Sequence, residues 1–308
     1  MKILITGGCG FIASHIVDAY ADLGHEVVVV DNLSTGRKSF LNPKAKFYEV
    51  DVRDKTEIQN IVTSEKPEVI NHHAAQISVR SSVENPIEDA QINLLGLLNL
   101  LEAGRTSGVK KIIFASSGGV VYGEASVLPT PESYQPLLPL SPYGVAKLAS
   151  ELYLNFYCQT YGIGYVALRY SNVYGPRQNP HGEAGVVAIF SKKLLKGEKP
   201  IINGDGKQTR DYIYVKDVVE ANKLALTANI NGAFNIATGK ETDVNMIFQL
   251  IKMAIGSDVS PVNGPAKKGE QKRSCLDITY SLKKLGFSPR YDLTKGLAET
   301  VDYFKKHD

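Results

Sequence analysis

Tyr143 and Lys147 stand four residues apart in a stretch with helical patterning, so a phenol and an ammonium share one face a turn apart. A free tyrosine ionises near ~10 and is a weak base at neutral pH. A neighbouring ammonium favours the phenolate and brings proton abstraction toward the working range. The spacing alone also describes an ordinary helix face. Ser116-Ser117, just beyond the apolar run Lys111–Ala115, adds weight. Ligands collect at the carboxyl ends of parallel strands, where a hydroxyl can bond a substrate alkoxide or pass a proton to the phenol. Either serine could serve, with Ser117 the assignment favoured.

A second constellation sits at the amino end. Thr6-Gly7-Gly8-Cys9-Gly10-Phe11-Ile12-Ala13 lies between a predicted strand and a predicted helix. Its glycines permit a tight turn and close backbone approach to a pyrophosphate, and the helix N-terminus adds partial positive charge. Asp31 closes the next strand 21 positions beyond Gly10, where a carboxylate can accept from both hydroxyls of an adenosine ribose. It would repel a 2′-phosphate, so NAD is expected rather than NADP, with Arg37 and Lys38 nearby as loop charges. Asp51 and Val52 end the third strand and could edge the adenine. His72-His73-Ala74-Ala75 follows the fourth, with Ala74 and Ala75 small enough to let a cofactor pass. As a metal site the histidine pair lacks a third ligand at suitable spacing, and no metal is expected.

The elements that must position these residues alternate in type. Strand patterns cover Lys2–Thr6, Glu26–Val30, Ala45–Val50, Val69–Asn71, Lys111–Ala115 and Gly164–Arg169. Helical patterns cover Phe11–Leu23, Lys55–Ser64, Pro86–Thr106 and Ser141–Tyr161. Uninterrupted apolar strands suit a sheet covered on both faces, and the alternation predicts an α/β doubly wound parallel Rossmann-like sheet. After Tyr170 the rhythm breaks into Gly-, Pro- and Asn-rich loops, which predicts a smaller, discontinuous α+β lobe. Asp217–Leu226 and Ala233–Ile236 could return to the large sheet. The expected division gives residues 1–172 and about 215–238 to the NAD-binding domain, and about 173–214 and 239–308 to the smaller, substrate-binding lobe.

Composition excludes several classes. The 308 residues carry 35 Lys+Arg against 32 Asp+Glu, a net charge of +3, which gives no basic face for nucleic acid. No apolar run approaches the ~20 residues of a membrane span, and the first residues do not read as a secretory leader. Cys9, Cys158 and Cys275 are odd in number and far apart, unlike a disulfide framework. A cytoplasmic protein without membrane or nucleic-acid partners is expected.

Taken together, these residues resemble the extended short-chain dehydrogenase/reductase family, and within it the UDP-glucose 4-epimerases, over essentially the whole chain. The resemblance is carried by the glycine loop, by Val30-Asp31-Asn32-Leu33-Ser34 and by Tyr143-x-x-x-Lys147. It is carried more specifically by Leu168-Arg169-Tyr170-Ser171-Asn172-Val173-Tyr174-Gly175-Pro176-Arg177 and by Arg210-Asp211-Tyr212-Ile213-Tyr214-Val215. It implies NAD-dependent 4-epimerisation of a UDP-hexose by reversible hydride transfer through a 4-keto sugar. Tyr143 would be the general base, Lys147 its holder and Ser117 the hydroxyl partner. Gly7, Gly10, Phe11, Ile12, Asp31, Asn32, Asp51, Val52, Ala74, Ala75, Asn93 and Tyr170 would border NAD, while Asn172 and Arg210 would meet the UDP-sugar.

Three departures stand out: Ala13 at the loop's last glycine, one extra residue between Ser117 and Tyr122, and Lys267 where a second diphosphate arginine is frequent. Glu270 and Ser274 complete the implied sugar site, and a serine at 274 leaves room for an N-acetyl group. The positions after Ser117 are Gly118, Gly119, Val120 and Val121, without the carboxylate that sugar dehydratases place there. A 4-keto-sugar oxidoreductase and a non-catalytic dinucleotide sensor are the alternatives. Apolar residues at Leu94–Leu101 and Leu148–Tyr157 suggest a homodimer through a four-helix contact.

Overall fold

The computed structural model describes residues 1–180, 185–266 and 271–307. Among them, twelve strands and eleven helices follow in chain order. The first part runs β1 (Lys2–Thr6), α1 (Phe11–Asp22), β2 (Glu26–Asp31), β3 (Lys46–Glu49), α2 (Lys55–Glu65), β4 (Val69–His72), α3 (Val79–Glu84), α4 (Pro86–Ala90), α5 (Gly96–Ser107), β5 (Lys111–Ser117), α6 (Pro142–Tyr161) and β6 (Gly164–Tyr170). The second runs β7 (Asn172–Tyr174), α7 (Val186–Leu195), β8 (Ile201–Asn203), β9 (Thr209–Tyr214), α8 (Val215–Thr227), β10 (Gly232–Ile236), β11 (Glu241–Asp243), α9 (Val244–Ile255), β12 (Val262–Gly264), α10 (Thr279–Leu285) and α11 (Leu293–His307).

The main sheet has the order β10-β6-β5-β4-β1-β2-β3, and every pairing in it is parallel. Ile3, Leu4, Val28 and Val29 are fully buried because helices cover both faces. One core layer joins Ile3, Ile5 and Val29 to Ile16, Val17 and Val218; the opposite layer joins Leu4, Val28 and Ile112 to Ile58, Leu100 and Leu154. The chain reverses its direction across the sheet between β1 and β4, which opens a crevice beyond their carboxyl ends. The expected doubly wound sheet is therefore present, and Gly232–Ile236 does return to it, beside β6.

Two small sheets build the second lobe. β9 pairs with β7 in parallel and with β11 antiparallel, while β8 and β12 pair in parallel. Phe190, Phe248, Ile251, Leu297 and Val301 pack beneath them.

One expected element differs. The single helix anticipated over Pro86–Thr106 is broken: Gln91–Leu95 forms a π-helical turn between α4 and α5. The extra residue in that turn re-aims the side chains it carries, and such turns occur often at functional sites. It carries Asn93.

Candidate active site

The glycine loop folds as its spacing predicts. Gly7 has φ +70°, and a Cβ there would lie 2.8 Å from Ala74 N, so only glycine permits this approach of the loop to the end of β4. Gly7 N–H donates to Val30 O at 2.8 Å, and Gly10 N–H to Gly7 O at 2.9 Å. Gly10 caps α1 with no side-chain hydrogen bond, and the first turn holds no acidic residue. The N-terminal amides of α1, at Phe11 and Ile12, are thus suited to an anion, with no acidic residue in the first turn to compete. Thr6 Oγ1 accepts from His73 N and Ala74 N, at 3.2 and 3.1 Å, which ties β1 to the β4 end. Its own proton goes to His72 Nδ1 at 2.7 Å, so His72 is held in the core.

Asp31 is buried at the end of β2. Its Oδ2 accepts from Cys9 N at 2.9 Å and its Oδ1 from Leu33 N at 2.8 Å, leaving each oxygen a further lone pair. Gly36 closes over it; a Cβ there would sit 3.0 Å from both carboxylate oxygens. The guanidinium of Arg37 lies over Phe40 and the ammonium of Lys38 over Phe47. Asn32 donates to Asp51 Oδ2 at 2.8 Å. Arg53 beside Asp51 holds that carboxyl down at about 2, chiefly by hydrogen bonding. Val52 is buried beside it.

At the other side of the crevice, Ser141 caps α6 by accepting from Gly144 N at 3.2 Å, and Pro142 opens the helix. Tyr143 and Lys147 follow on one face. Lys147 is 4% exposed; its ammonium donates to Ala115 O at 2.8 Å and lies 5.6 Å from the centre of the Tyr143 ring. Burial pulls this ammonium down to about 8, against the attraction of Asp89 and Glu151. The Tyr143 phenol is pushed up, first by burial and then by the charge of Asp89, while a hydrogen bond with Ser117 opposes that rise. The ammonium, expected to favour the phenolate, is anchored on the same side by its hydrogen bond to β5.

The two serines separate cleanly. Ser116 Oγ donates to Glu151 Oε1 at 2.5 Å, and Glu151 is locked in a buried bidentate pair with Arg169, at 3.0 and 2.6 Å. Ser117, at the last position of β5, meets Tyr143. Asn93 projects from the π turn and bridges two segments. Its amide donates to Gln76 O and Asp89 Oδ1, both at 2.9 Å, and its oxygen accepts from Gln76 N at 3.0 Å. Tyr170 is buried and bonds His73 and Asn222, at 3.1 and 2.8 Å. Ala75 follows Ala74 in the same loop, half-buried.

The second lobe brings three sugar-site candidates toward one strand group. Asn172 on β7 faces Tyr212 on β9 in register. Arg210 on β9 donates to Thr209 O at 2.8 Å. Ser274 is buried and precedes Cys275-Leu276, which is not a strand run but forms one isolated bridge, Leu276 to Thr130. Asp211 fixes this corner by accepting from Thr238 N, Thr238 Oγ1 and Gly239 N, at 2.9, 2.7 and 2.9 Å. Leu276 also touches the Ser117 strand end: a Cβ on Gly118 would lie 2.4 Å from its Cδ1. Lys267 and Glu270 lie outside the described residues.

Sequence reasoning missed Asp89, Gln76, His73 and Asn222. Asp89 precedes Asn93 by four and shares its helical face, a spacing that could have exposed it. His73 and Asn222 meet Tyr170 only through the sheet order. Buried Ser171 Oγ, His73 Nδ1 and Asp89 Oδ2 have no hydrogen-bond partner. Unmet polar atoms at the carboxyl ends of β4 and β6, an open helix N-terminus and a buried acidic strand end suit a dinucleotide. NAD fits these residues. Among the described residues no cluster of three or more His, Cys, Asp or Glu could hold a metal ion.

Fold and site thus define a dinucleotide-dependent enzyme with a tyrosine-lysine centre. The chain belongs to the NAD dependent epimerase/dehydratase family, whose model matches residues 3–237. It is 43% identical to the UDP-glucose 4-epimerase of Mycolicibacterium smegmatis over 99% of each chain. A UDP-glucose 4-epimerase from Thermotoga maritima, solved with UDP-glucose, superposes with a TM-score of 0.98 at 50% identity, covering 100% of this chain and 99% of the other. One from Thermus thermophilus in complex with NAD gives 0.94 at 43% identity over 99% of each.

Proposed function

We propose that this chain interconverts UDP-glucose and UDP-galactose by inverting carbon 4 of the hexose, with NAD as resident cofactor. The observation that carries the reading is the meeting of Ser117 and Tyr143 at the end of β5, one helical turn from a buried Lys147. NAD⁺, when bound, would supply reversible hydride acceptance at the sugar carbon and, in its oxidised form only, a positive charge that favours the phenolate.

Tyr143 takes the proton of the 4-hydroxyl and later returns it, with Ser117 bonding the same oxygen. Lys147 holds its charge at the carboxyl end of β5, where it favours the phenolate. Inversion requires the keto sugar to turn over, so that carbon 4 regains its hydride on the face opposite the one that lost it, while its oxygen stays within reach of Tyr143. The lobe must therefore grip the nucleotide diphosphate and leave the hexose free to turn. Arg210, whose guanidinium can engage two oxygens, and Asn172 serve that grip, with Lys267 adding positive charge in the same role and Glu270 a further contact to the UDP-sugar. The small Ser274 leaves space for a 2-N-acetyl group, which extends the substrates to UDP-N-acetylhexosamines. Residues 1–172 and 215–238 hold NAD, and 173–214 with 239–308 hold the sugar nucleotide.

The chain pairs with a second copy. Leu95, in the π turn, and Val145, Leu152 and Phe156, on α6, are exposed beside an apolar cleft of about 480 Å³ lined by Ala90, Leu94, Leu140 and Ala149. Three free thiols suit the reducing cytoplasm. Among the described residues no helix is long and apolar enough to cross a membrane.

The test is product analysis after incubation with UDP-galactose, UDP-glucose and their N-acetylated forms without added nicotinamide. Interconversion without accumulation of reduced nucleotide is expected. Product that appears only in proportion to added NAD would make the chain a net oxidoreductase.

A further inference from the structure

His73 directly follows β4, and no role above uses its ring. Five side chains form a polar run across the sheet: Tyr20 on α1, Asn71 on β4, Asn222 on α8, Tyr170 on β6 and His73. Two backbone carbonyls orient all of it. Asn222 Nδ2 lies 2.8 Å from Val218 O, which identifies that atom as the amide nitrogen; it also donates to Tyr170 Oη at 2.8 Å. Asn222 Oδ1 then accepts from Asn71 Nδ2 at 3.0 Å. Tyr20 accepts the second Asn71 proton at 3.2 Å and donates its own to Asn222 O at 2.9 Å.

Tyr170 already accepts from Asn222. Among the described residues its own proton finds His73 Nε2, at 3.1 Å. The single proton of a neutral imidazole is therefore on Nδ1. The reverse assignment would strand two polar atoms, the phenolic proton and Nδ1, where this one strands a single N–H. That N–H is buried and has no partner. Burial and the charge of Lys147 keep the ring neutral, with its pKa down at about 3.

The location is the crevice itself. Carbonyl carbon His73 C and Ala74 N are the atoms that a Cβ on Gly7 would strike, at 3.0 and 2.8 Å. The ring stacks on Tyr170, the last residue of β6, with centroids 5.9 Å apart and planes 28° from parallel. Its backbone thus abuts the phosphate loop, and its ring, against Tyr170, feels the charge of Lys147.

We propose that His73 is a fixed donor to the cofactor: its Nδ1–H, set by the Tyr20–Asn71–Asn222–Tyr170 run, bonds an oxygen of the nicotinamide half of NAD, in the ribose or the phosphate attached to it. The inference rests on the cofactor reading above and adds a residue and a tautomer to it. A neutral donor suits a cofactor that stays bound through both redox states, because its strength does not depend on the charge of the nicotinamide.

The test is exchange of bound NAD in the holoenzyme against radiolabelled NAD. His73→Phe keeps the stack and removes the donor, and NAD should leave about tenfold faster, as expected for one lost hydrogen bond. His73→Asn sets an amide nitrogen near the Nδ1 position and should stay within about threefold of wild type. Inhibition by ADP, the adenosine half alone, should not change in either variant. Nitrogen-15 spectra of histidine-labelled protein should show His73 as the Nδ1–H tautomer, and Tyr170→Phe should abolish that preference. Equal NAD release from wild type and His73→Phe, or an Nε2–H tautomer in wild type, would overturn the inference. Wild-type protein that takes up no NAD would overturn it together with the cofactor reading. Protein that holds NAD but leaves UDP-galactose unchanged would sink the epimerase reading alone, and the exchange comparison would still decide this one.

Discussion

Two buried polar groups share the same helix and the same strand end, one residue or one turn apart, and they are built on opposite principles. Ser116, Glu151, Arg169, Tyr122 and Asn235 form a closed chain. The serine and the guanidinium fork satisfy Glu151, Arg169 also donates to Tyr122 Oη at 2.8 Å, and Tyr122 donates to Asn235 Oδ1 at 2.7 Å. Ser117, Tyr143 and Lys147 sit beside it with unmet atoms nearby on His73, Asp89 and Ser171. Burial raises the Tyr143 phenol and lowers the Lys147 ammonium, so both are biased toward their neutral forms. A satisfied network fixes structure, whereas an unsatisfied one stores electrostatic work that a ligand releases. Residue type does not tell the two apart; partners do.

The largest expected effect that would break this comparison is on catalysis. Tyr143→Phe should lower kcat for UDP-galactose by about 10²–10⁴-fold while leaving the unfolding midpoint nearly unchanged. Next comes the closed chain: Arg169→Met leaves Glu151 buried without its partner and should cost about 3–5 kcal/mol in urea unfolding. Protein that remains folded should keep its kcat.

Lys147→Met should act in the reverse sense. In nucleotide-free protein the folded ammonium loses its proton near 8, whereas the unfolded one keeps it to about 10.5. Between those values the unfolded state binds more protons, so wild-type stability should rise with pH there, and the variant should lack that rise. At pH 7 the variant should be more stable by about 1–3 kcal/mol, the cost of a buried charge less its hydrogen bond to Ala115. It should be nearly inactive. A Lys147→Met protein less stable than wild type at pH 7 would show that the lysine is structural.

The smallest and sharpest contrast is between neighbours. Ser117→Ala should reduce kcat about tenfold with stability kept, and Ser116→Ala should cost about 1–2 kcal/mol of stability with kcat kept. Exchange of those two phenotypes would reverse the assignment.

Much of this was legible in the sequence because it is local. Strand, glycine turn and helix from Lys2 to Asp22 are contiguous, as are Tyr143 and Lys147 on one helix. Asp31 announces itself by closing a valine run. What stayed hidden depends on sheet order. Arg169 belongs to a family motif, yet it is committed to Glu151 on the helix before it, a partner chosen by packing. The Tyr20-to-His73 run joins residues up to 202 apart in sequence. The π turn at Gln91–Leu95 leaves no mark in apolar periodicity, because one extra residue per turn shifts the pattern less than the spacing of its leucines varies.

The most direct measurement follows the hydrogen on carbon 4. UDP-galactose carrying deuterium at that carbon should yield UDP-glucose with the deuterium still at carbon 4, while the proton of the 4-hydroxyl passes through Tyr143. Deuterium lost to solvent, or carried away on released nicotinamide nucleotide, would contradict a closed cycle at one carbon.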